Sequence, residues 1–597
     1  MPLDTFDFIK LFLGIIIFII PGYLWSYIFS KEFRIFERIV FGFIFGFGSS
    51  TIIIYFFNLF LNIKITVFSI LSIFVIYSIP IIIIFLLSLY KFGLPKIKVM
   101  SIDFLKKMDK KYYLLLIILF FSCFLTFLPH ILNNYYLPFH VDEWIHWSYS
   151  NALIKNGYTT FTNPYIGTRE IASPEIGFHI STLIIKSISN VNIQSIFLFM
   201  PIVISFFISL TAFNIGERSK NKFGLEAAFI ISFIPTTVRF LGPNFYVAVT
   251  FGILILIFII WIAQIKEIQV AILFPILLFF TFIVHPATAF AGLVFIFAYS
   301  IFLLFEKTYK IAFWYCFLSV LPFFIILLFS TRWDLWIGYL IESIQGKEII
   351  SSLPSIWVDY NQMGLLTWGL FIIGVYFSFS KGKAHKKSLS FLSIIFIILI
   401  GLYDKLGYGF PIIYDRSFLY LFIPVSLIAA YALSEIKIYI KELKENKKFK
   451  HYKKQLKHLK KILPISISIV ILIIGTNAHA NTYYYEMINE DEYQDFIWIR
   501  DNIDKYRDEN HSYDRAAIDP FKASPFSAIT GLYIVSSNMH PTYSLKSSEK
   551  FKDFIKNECI DTNFLERYDI SIIYGNCNNS NLTKIHNKVY LYPGLYE

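Results

Sequence analysis

The sequence predicts a polytopic α-helical membrane protein of about fourteen spans, with a small extracytoplasmic α/β domain at its C-terminal end. Composition is the first reason. The chain has 597 residues, 56% of them hydrophobic and only 16% charged, with a mean hydropathy of +0.61; soluble domains carry roughly 25% charged residues. The second is that uninterrupted apolar runs able to cross a ~30 Å hydrocarbon core recur along most of the chain. A β-barrel would instead show alternation in short segments. Third, the runs stop near residue 480, and a mixed polar sequence follows to the end.

The apolar runs fall at 8–29, 38–61, 65–90, 112–131, 191–213, 225–241, 246–264, 269–286, 288–305, 311–330, 364–380, 389–403, 417–434 and 463–479. The first follows Asp4 and Asp7, with no basic n-region and no small-residue cleavage site, so it reads as a span rather than a cleavable signal. Runs 225–241 and 389–403 are short enough to be tilted or re-entrant. Three parts follow: 1–111, N-terminal spans with a basic loop; 112–479, the membrane core with outer loop 132–190; and 480–597, the soluble domain.

Orientation comes from lysine and arginine. Lys31 and Arg34, the lysines of loop 91–111, Arg218, Lys220 and Lys222, Lys381 to Lys387, and the lysine-rich segment 435–462 all fall on one side. The positive-inside rule makes that side cytoplasmic. The net charge of +12 is thereby explained without nucleic acid, since segment 435–462 faces an anionic leaflet. The opposite side holds 132–190, 331–363, 404–416 and the tail. Within the first of these, Gly177 to Asn190 suits a helix lying at the interface.

In the tail, Glu490 to Asp504 has helical spacing. Strand-like runs at 516–518, 533–535, 570–574 and 589–592 alternate with helix-compatible 524–530 and 548–557, which argues an α/β domain. Cys123 and Cys316 lie in apolar runs as packing residues. Cys559 and Cys577 could pair if the tail is outside. Sequons begin at Asn510, Asn578 and Asn581.

The chemistry concentrates on the outer side. Pro138-Phe139-His140-Val141-Asp142-Glu143-Trp144-Ile145-His146-Trp147 puts two carboxylates and two histidines at the mouth of a span. Arg169, Glu170, Glu175 and His179 follow in the same loop. Arg239, His285, Arg332 and Arg416 stand at outer ends of later spans. Neighbouring Asp142 and Glu143 need not share a helix face, so one can act as a base while the other holds a metal or an acceptor. A carboxylate to take a hydroxyl proton, with arginines to neutralise a phosphate leaving group, is what glycosyl transfer from a lipid phosphate requires. The tryptophans suit interfacial anchoring better than sugar stacking.

These residues resemble a known family. His140-Val141-Asp142-Glu143-Trp144-Ile145-His146-Trp147 looks like the loop signature of the GT-C superfamily of membrane glycosyltransferases, closest in form to the protein O-mannosyltransferase branch. Ser173-Pro174-Glu175-Ile176-Gly177-Phe178-His179 resembles the stretch before that superfamily's interfacial helix. Tyr414-Asp415-Arg416-Ser417-Phe418-Leu419-Tyr420 is similar to its late outer-face arginine. The resemblance, over about 112–435, implies a GT-C-like core with Asp142 as catalytic base and Glu143 as its acceptor-side or metal partner. It also implies Arg416 and Arg239 on a polyprenyl-phosphate-linked donor. His146, Glu175, His179, His285 and Arg332 would complete the substrate site, and the acceptor would be a glycan, lipid or protein. A divalent cation (Mg or Mn) is compatible, although no ligand set is complete. The chain departs from the pattern in placing three spans before the one that leads to the motif. Its tail also lacks a Trp-Trp-Asp acceptor motif, Asp519-Pro520 being none, which weighs against oligosaccharide transfer to asparagine.

Two other readings use the same residues. In a transporter or flippase, carboxylates and arginines would line a path near the bilayer midplane on broken helices. A non-catalytic assembly protein would explain the tail but leaves Asp142 and Glu143 idle.

Overall fold

The apolar runs fold as helices, and close backbone approach sets how the first two meet. In a computed structural model, which describes residues 5–92, 109–167, 170–329, 362–406, 414–446, 451–482, 484–507, 512–535 and 545–595, α1 (Thr5–Phe29) packs on α2 (Ile35–Leu61). A Cβ on Gly22 would stand 2.3 Å from the Gly42 carbonyl oxygen. Only glycines allow such a crossing, the usual device where lipid supplies no hydrophobic drive. Next come α3 (Val67–Phe92) and α4 (Lys110–Asn133).

A polar excursion follows, made of α5 (Val141–Asn156), a hairpin of β1 (Thr160–Thr162) and β2 (Glu170–Ala172), and α6 (Ile176–Ser189). The sequence places α6 at the membrane interface. It packs inside the protein against α1, α2, α3 and α5. Its residues Ile176 to Ile185 are all buried, being apolar or small apart from His179, whose ring lies 3.2 Å from the Ser150 and Ser173 hydroxyls.

The core continues with α7 (Ile193–Arg218), α8 (Gly224–Ile231), α9 (Ala248–Ala263), α10 (Ile268–Ala271), α11 (Leu273–Val284), α12 (Pro286–Phe305) and α13 (Tyr309–Phe329). Then come α14 (Leu365–Lys381), α15 (Ala384–Leu406), α16 (Tyr414–Glu445) and α17 (Lys453–Ala480). Among the described residues nine helices are long and apolar enough to cross a membrane, and several further apolar runs fold as shorter helices. The run 225–241 is one of these. Its helix ends at Ile231, Pro235 cannot extend it, and 232–247 is irregular yet largely buried. Run 389–403 is longer than expected, extending over Ala384–Leu406. The central helix is α16, buried along its apolar window and packed on α14, α15, α8 and α17. At the lysine-rich end, Arg218 donates to buried Glu37 (Nε to Oε1, 2.5 Å) and Lys111 to Glu217, tying α2, α4 and α7 together.

The tail is an α/β domain. Asn489 caps α18 (Glu490–Asn502), its side chain accepting from Glu492 N at 2.9 Å. After it come β3 (Arg515–Ala517), α19 (Ala523–Thr530), β4 (Tyr533–Ile534), α20 (Leu545–Lys556), α21 (Thr562–Arg567), β5 (Ile572–Tyr574), β6 (Thr583–His586) and β7 (Val589–Leu591). The sheet order is β4-β3-β5-β7-β6; β4, β3 and β5 are parallel, and β7 and β6 run antiparallel. Side chains alternate between two cores, as the strand period demands. Ala516 and Ile572 belong to the core that includes α18 and α19 and runs on into the membrane part, while Ala517 and Ile573 belong to the core under α20 and α21. Cys559 and Cys577 form a disulfide beside that second core.

This excursion grips the tail. Ile534 N donates to Tyr165 O (2.9 Å), Arg515 Nη2 to Ile166 O (3.1 Å) and Ser527 Oγ to Pro164 O (2.9 Å). Tyr485, just past α17, donates its N–H to Phe139 O (3.1 Å). The tail is thus fastened to the loop that carries the Asp-Glu tract.

Candidate active site

The site starts from a helix N-terminus. His140 has extended backbone and caps α5, its Nδ1 accepting from Asp142 N at 3.0 Å. Asp142 and Glu143 therefore stand in the first helical turn, where the helix dipole favours negative charge. The two carboxylates then part, as adjacent helical residues must.

Glu143 turns inward and is buried. Its Oε2 accepts from Phe139 N (3.0 Å) and His140 N (3.2 Å), and its Oε1 from Tyr246 N (2.9 Å). It closes the cap and ties α5 to the segment before α9. Burial pushes its carboxyl up to about 8 against the pull of these donors. Both oxygens are engaged, so Glu143 governs the shape of the turn.

Asp142 faces the opening, with a third of its side chain exposed. Its Oδ2 accepts from Arg416 Nη2 at 3.0 Å, across 274 residues of chain. Arg416 also donates to the Arg239 carbonyl, so the buried segment 232–247 holds the guanidinium in place. Burial pushes the Asp142 carboxyl up, but His140, Arg416 and His146 together pull it below its ordinary value.

A second group lies one helical turn along α5. The His146 Nε2 stands 3.7 Å from Glu175 Oε2, and the His285 Nε2 3.6 Å from Glu175 Oε1. His285 caps α12 and is oriented from behind, its Nδ1 lying 2.8 Å from Thr288 Oγ1 and 3.2 Å from the Tyr420 hydroxyl. Burial pushes the His146 ring down to about 4 and, aided by the nearby Asp142 charge, the Glu175 carboxyl up to about 8. His179 is different. Its two ring nitrogens lie 3.2 Å from Ser150 Oγ and from Ser173 Oγ, so it pins α5, α6 and the loop between them.

The structure thus brings Asp142, His146, Glu175, His285 and Arg416 together, with the Arg239 carbonyl behind them. Arg332 lies outside the described residues. No protein family and no curated protein matches the chain by sequence. In three dimensions it is similar to the oligosaccharyltransferase of Archaeoglobus fulgidus. Against the apo crystal structure of that enzyme the TM-score is 0.53, with 12% identity over 78% of this chain and 69% of that one. The same enzyme in complex with an inhibitory peptide and a dolichol-phosphate aligns over the same shares at 12% identity, with a TM-score of 0.49. The fold is that of the archaeal oligosaccharyltransferase. At such identity the likeness is one of fold, and it agrees with the GT-C resemblance read from the outer loop.

On this oligosaccharyltransferase fold the metal question is decided by ligands. Among the described residues no group of three His, Cys, Asp or Glu side chains is placed to hold an ion. Asp142 is engaged by Arg416 and Glu143 by backbone N–H groups, so among the described residues neither carboxylate stands free for a divalent cation. Three contributors escape sequence reading. His140 serves as the cap, a role usually filled by Ser, Thr, Asp or Asn. Tyr420 shares a helix face with Arg416, four residues earlier, a spacing the sequence does display. Thr288 stands three residues after His285, the spacing of a helix cap and the backbone N–H that donates to it.

Proposed function

We propose that this chain is a membrane glycosyltransferase that moves a sugar from a polyprenyl-phosphate-linked donor to an acceptor on the outer face of the membrane. Asp142 is the general base. The observation that carries the reading is the contact of Asp142 with Arg416, which unites a carboxylate and a fixed cation at the mouth of the helical core. The acceptor hydroxyl loses its proton to Asp142 as its oxygen bonds to the anomeric carbon. The bond from that carbon to the phosphate oxygen breaks, and polyprenyl phosphate leaves with the electron pair. Arg416 neutralises the charge that develops there, in a site where burial strengthens such an interaction. Glu143 and Arg239 hold this pair in register. The tail lies on the outer face, a reading supported by its disulfide and by the lysines at the far ends of the helices.

The test is transfer in membranes from radiolabelled polyprenyl-phosphate sugars. Asp142→Asn should lower the rate by about 10²–10⁴-fold, the weight of a positioned base. Normal transfer by the variant at unchanged expression would overturn the assignment. Movement of unlabelled carrier across the bilayer that survives in the variant, with transfer absent in both proteins, would point to a flippase.

A further inference from the structure

The carboxylates around the site differ in how they are filled. Glu143 accepts three backbone N–H bonds and Asp142 the Arg416 guanidinium. The Glu175 carboxylate accepts no hydrogen bond among the described residues, and it caps nothing although Glu175 stands at the N-cap of α6. A quarter of that side chain is exposed. On either side of it the Nε2 atoms of His146 and His285 stand just beyond hydrogen-bonding reach.

All three groups are fixed from behind. Thr288 and Tyr420 hold the His285 ring. His146 packs on the rings of Phe178 (4.8 Å) and His179 (5.3 Å), and its buried Nδ1 meets no partner. The Glu175 backbone N–H is held by Ser173 Oγ (3.2 Å). An acceptor flanked by two imidazole edges, rigid and unfilled, is preorganised for a small group that both donates and accepts hydrogen bonds.

We propose that the Glu175 carboxyl, with His146 and His285 on either side of it, binds a hydroxyl of the transferred sugar. This rests on the glycosyltransferase reading above. Arg416 belongs with the phosphate, and the sugar hangs directly from that phosphate, which puts its ring within reach of Glu175. Tyr149, His179 and the Asp142–Arg416 pair complete the polar surroundings.

Binding to the purified full chain tests this apart from transfer. Polyprenyl phosphate and a panel of polyprenyl-phosphate hexoses (mannose, glucose, galactose) serve as probes. The native chain should bind at least one hexose-bearing lipid about tenfold more tightly than the bare lipid, the weight of one hydrogen bond to a carboxyl group. Glu175→Ala should lose that advantage while binding the bare lipid as before, which also shows that the variant is folded. Glu175→Gln, which keeps an acceptor and a donor, should restore most of it. An equal advantage in Glu175→Ala, or no advantage in the native chain, overturns the proposal. If the advantage is present but Asp142→Asn transfers normally, the base assignment falls and the sugar seat stands.

Discussion

At Asp142 two opposing effects decide the chemistry. Burial raises its carboxyl, and Arg416, together with His140 and His146 once low pH charges them, more than offsets that rise. The base is therefore ionised through neutral pH, and the acid limb of transfer at saturating donor lies below the ordinary aspartate range. Arg416→Gln removes one of the fields that lower it, so the limb should move to higher pH; a pH–rate profile of the variant identical in position to the native one contradicts this. Glu143 makes a different prediction. Glu143→Ala leaves three buried backbone N–H groups without an acceptor, and each orphan costs about 1–3 kcal/mol. Thermal unfolding in detergent should show the loss even without substrate. The sequence placed Asp142 and Glu143 at a span mouth but could not separate their environments. The Tyr246 N–H that claims Glu143 comes from 103 residues away and carries no side-chain signal.

Helices were legible where apolar runs were long, and least legible where a run is broken by its own chemistry. Pro235 and Gly242-Pro243 turn one expected span into a short helix and a buried irregular segment, and that segment supplies the Arg239 carbonyl that Arg416 needs. Helix α5 escaped notice because histidine caps it and its tryptophans mimic an interfacial tract. Strand β6 escaped because Thr583-Lys584-Ile585-His586 is a partly exposed edge with no apolar alternation. Close crossing is an element-scale property that can be probed directly. Gly22→Val forces α1 off α2, since even a Cβ meets the Gly42 carbonyl oxygen. A loss of about 1–3 kcal/mol, the range for overpacking, should appear as a lower melting temperature. An unchanged value would mean that the two helices are free to slide apart.

For the whole molecule, the proposed topology can be read directly by labelling from either side of the membrane. Ser580→Cys, at an exposed tail position, should react with a membrane-impermeant maleimide in intact cells. Lys383→Cys, in the exposed turn between α14 and α15, should react only after lysis. The reverse pattern would place the Asp142 site in the cytoplasm. What sequence could not convey at this scale is convergence. Asp142, Glu175, His285 and Arg416 are scattered over four regions of the chain and meet only in the folded molecule.

The hydrogen bond from Ile534 N to Tyr165 O has a consequence for the tail's independence. Strand β4 ends the sheet, and an uncovered strand edge is a template for pairing with other chains. Here a loop of the membrane part shields it. Cut free at residue 484, the tail would carry a sticky margin and tend to associate with itself, so solubility of the domain is a property that the membrane part confers.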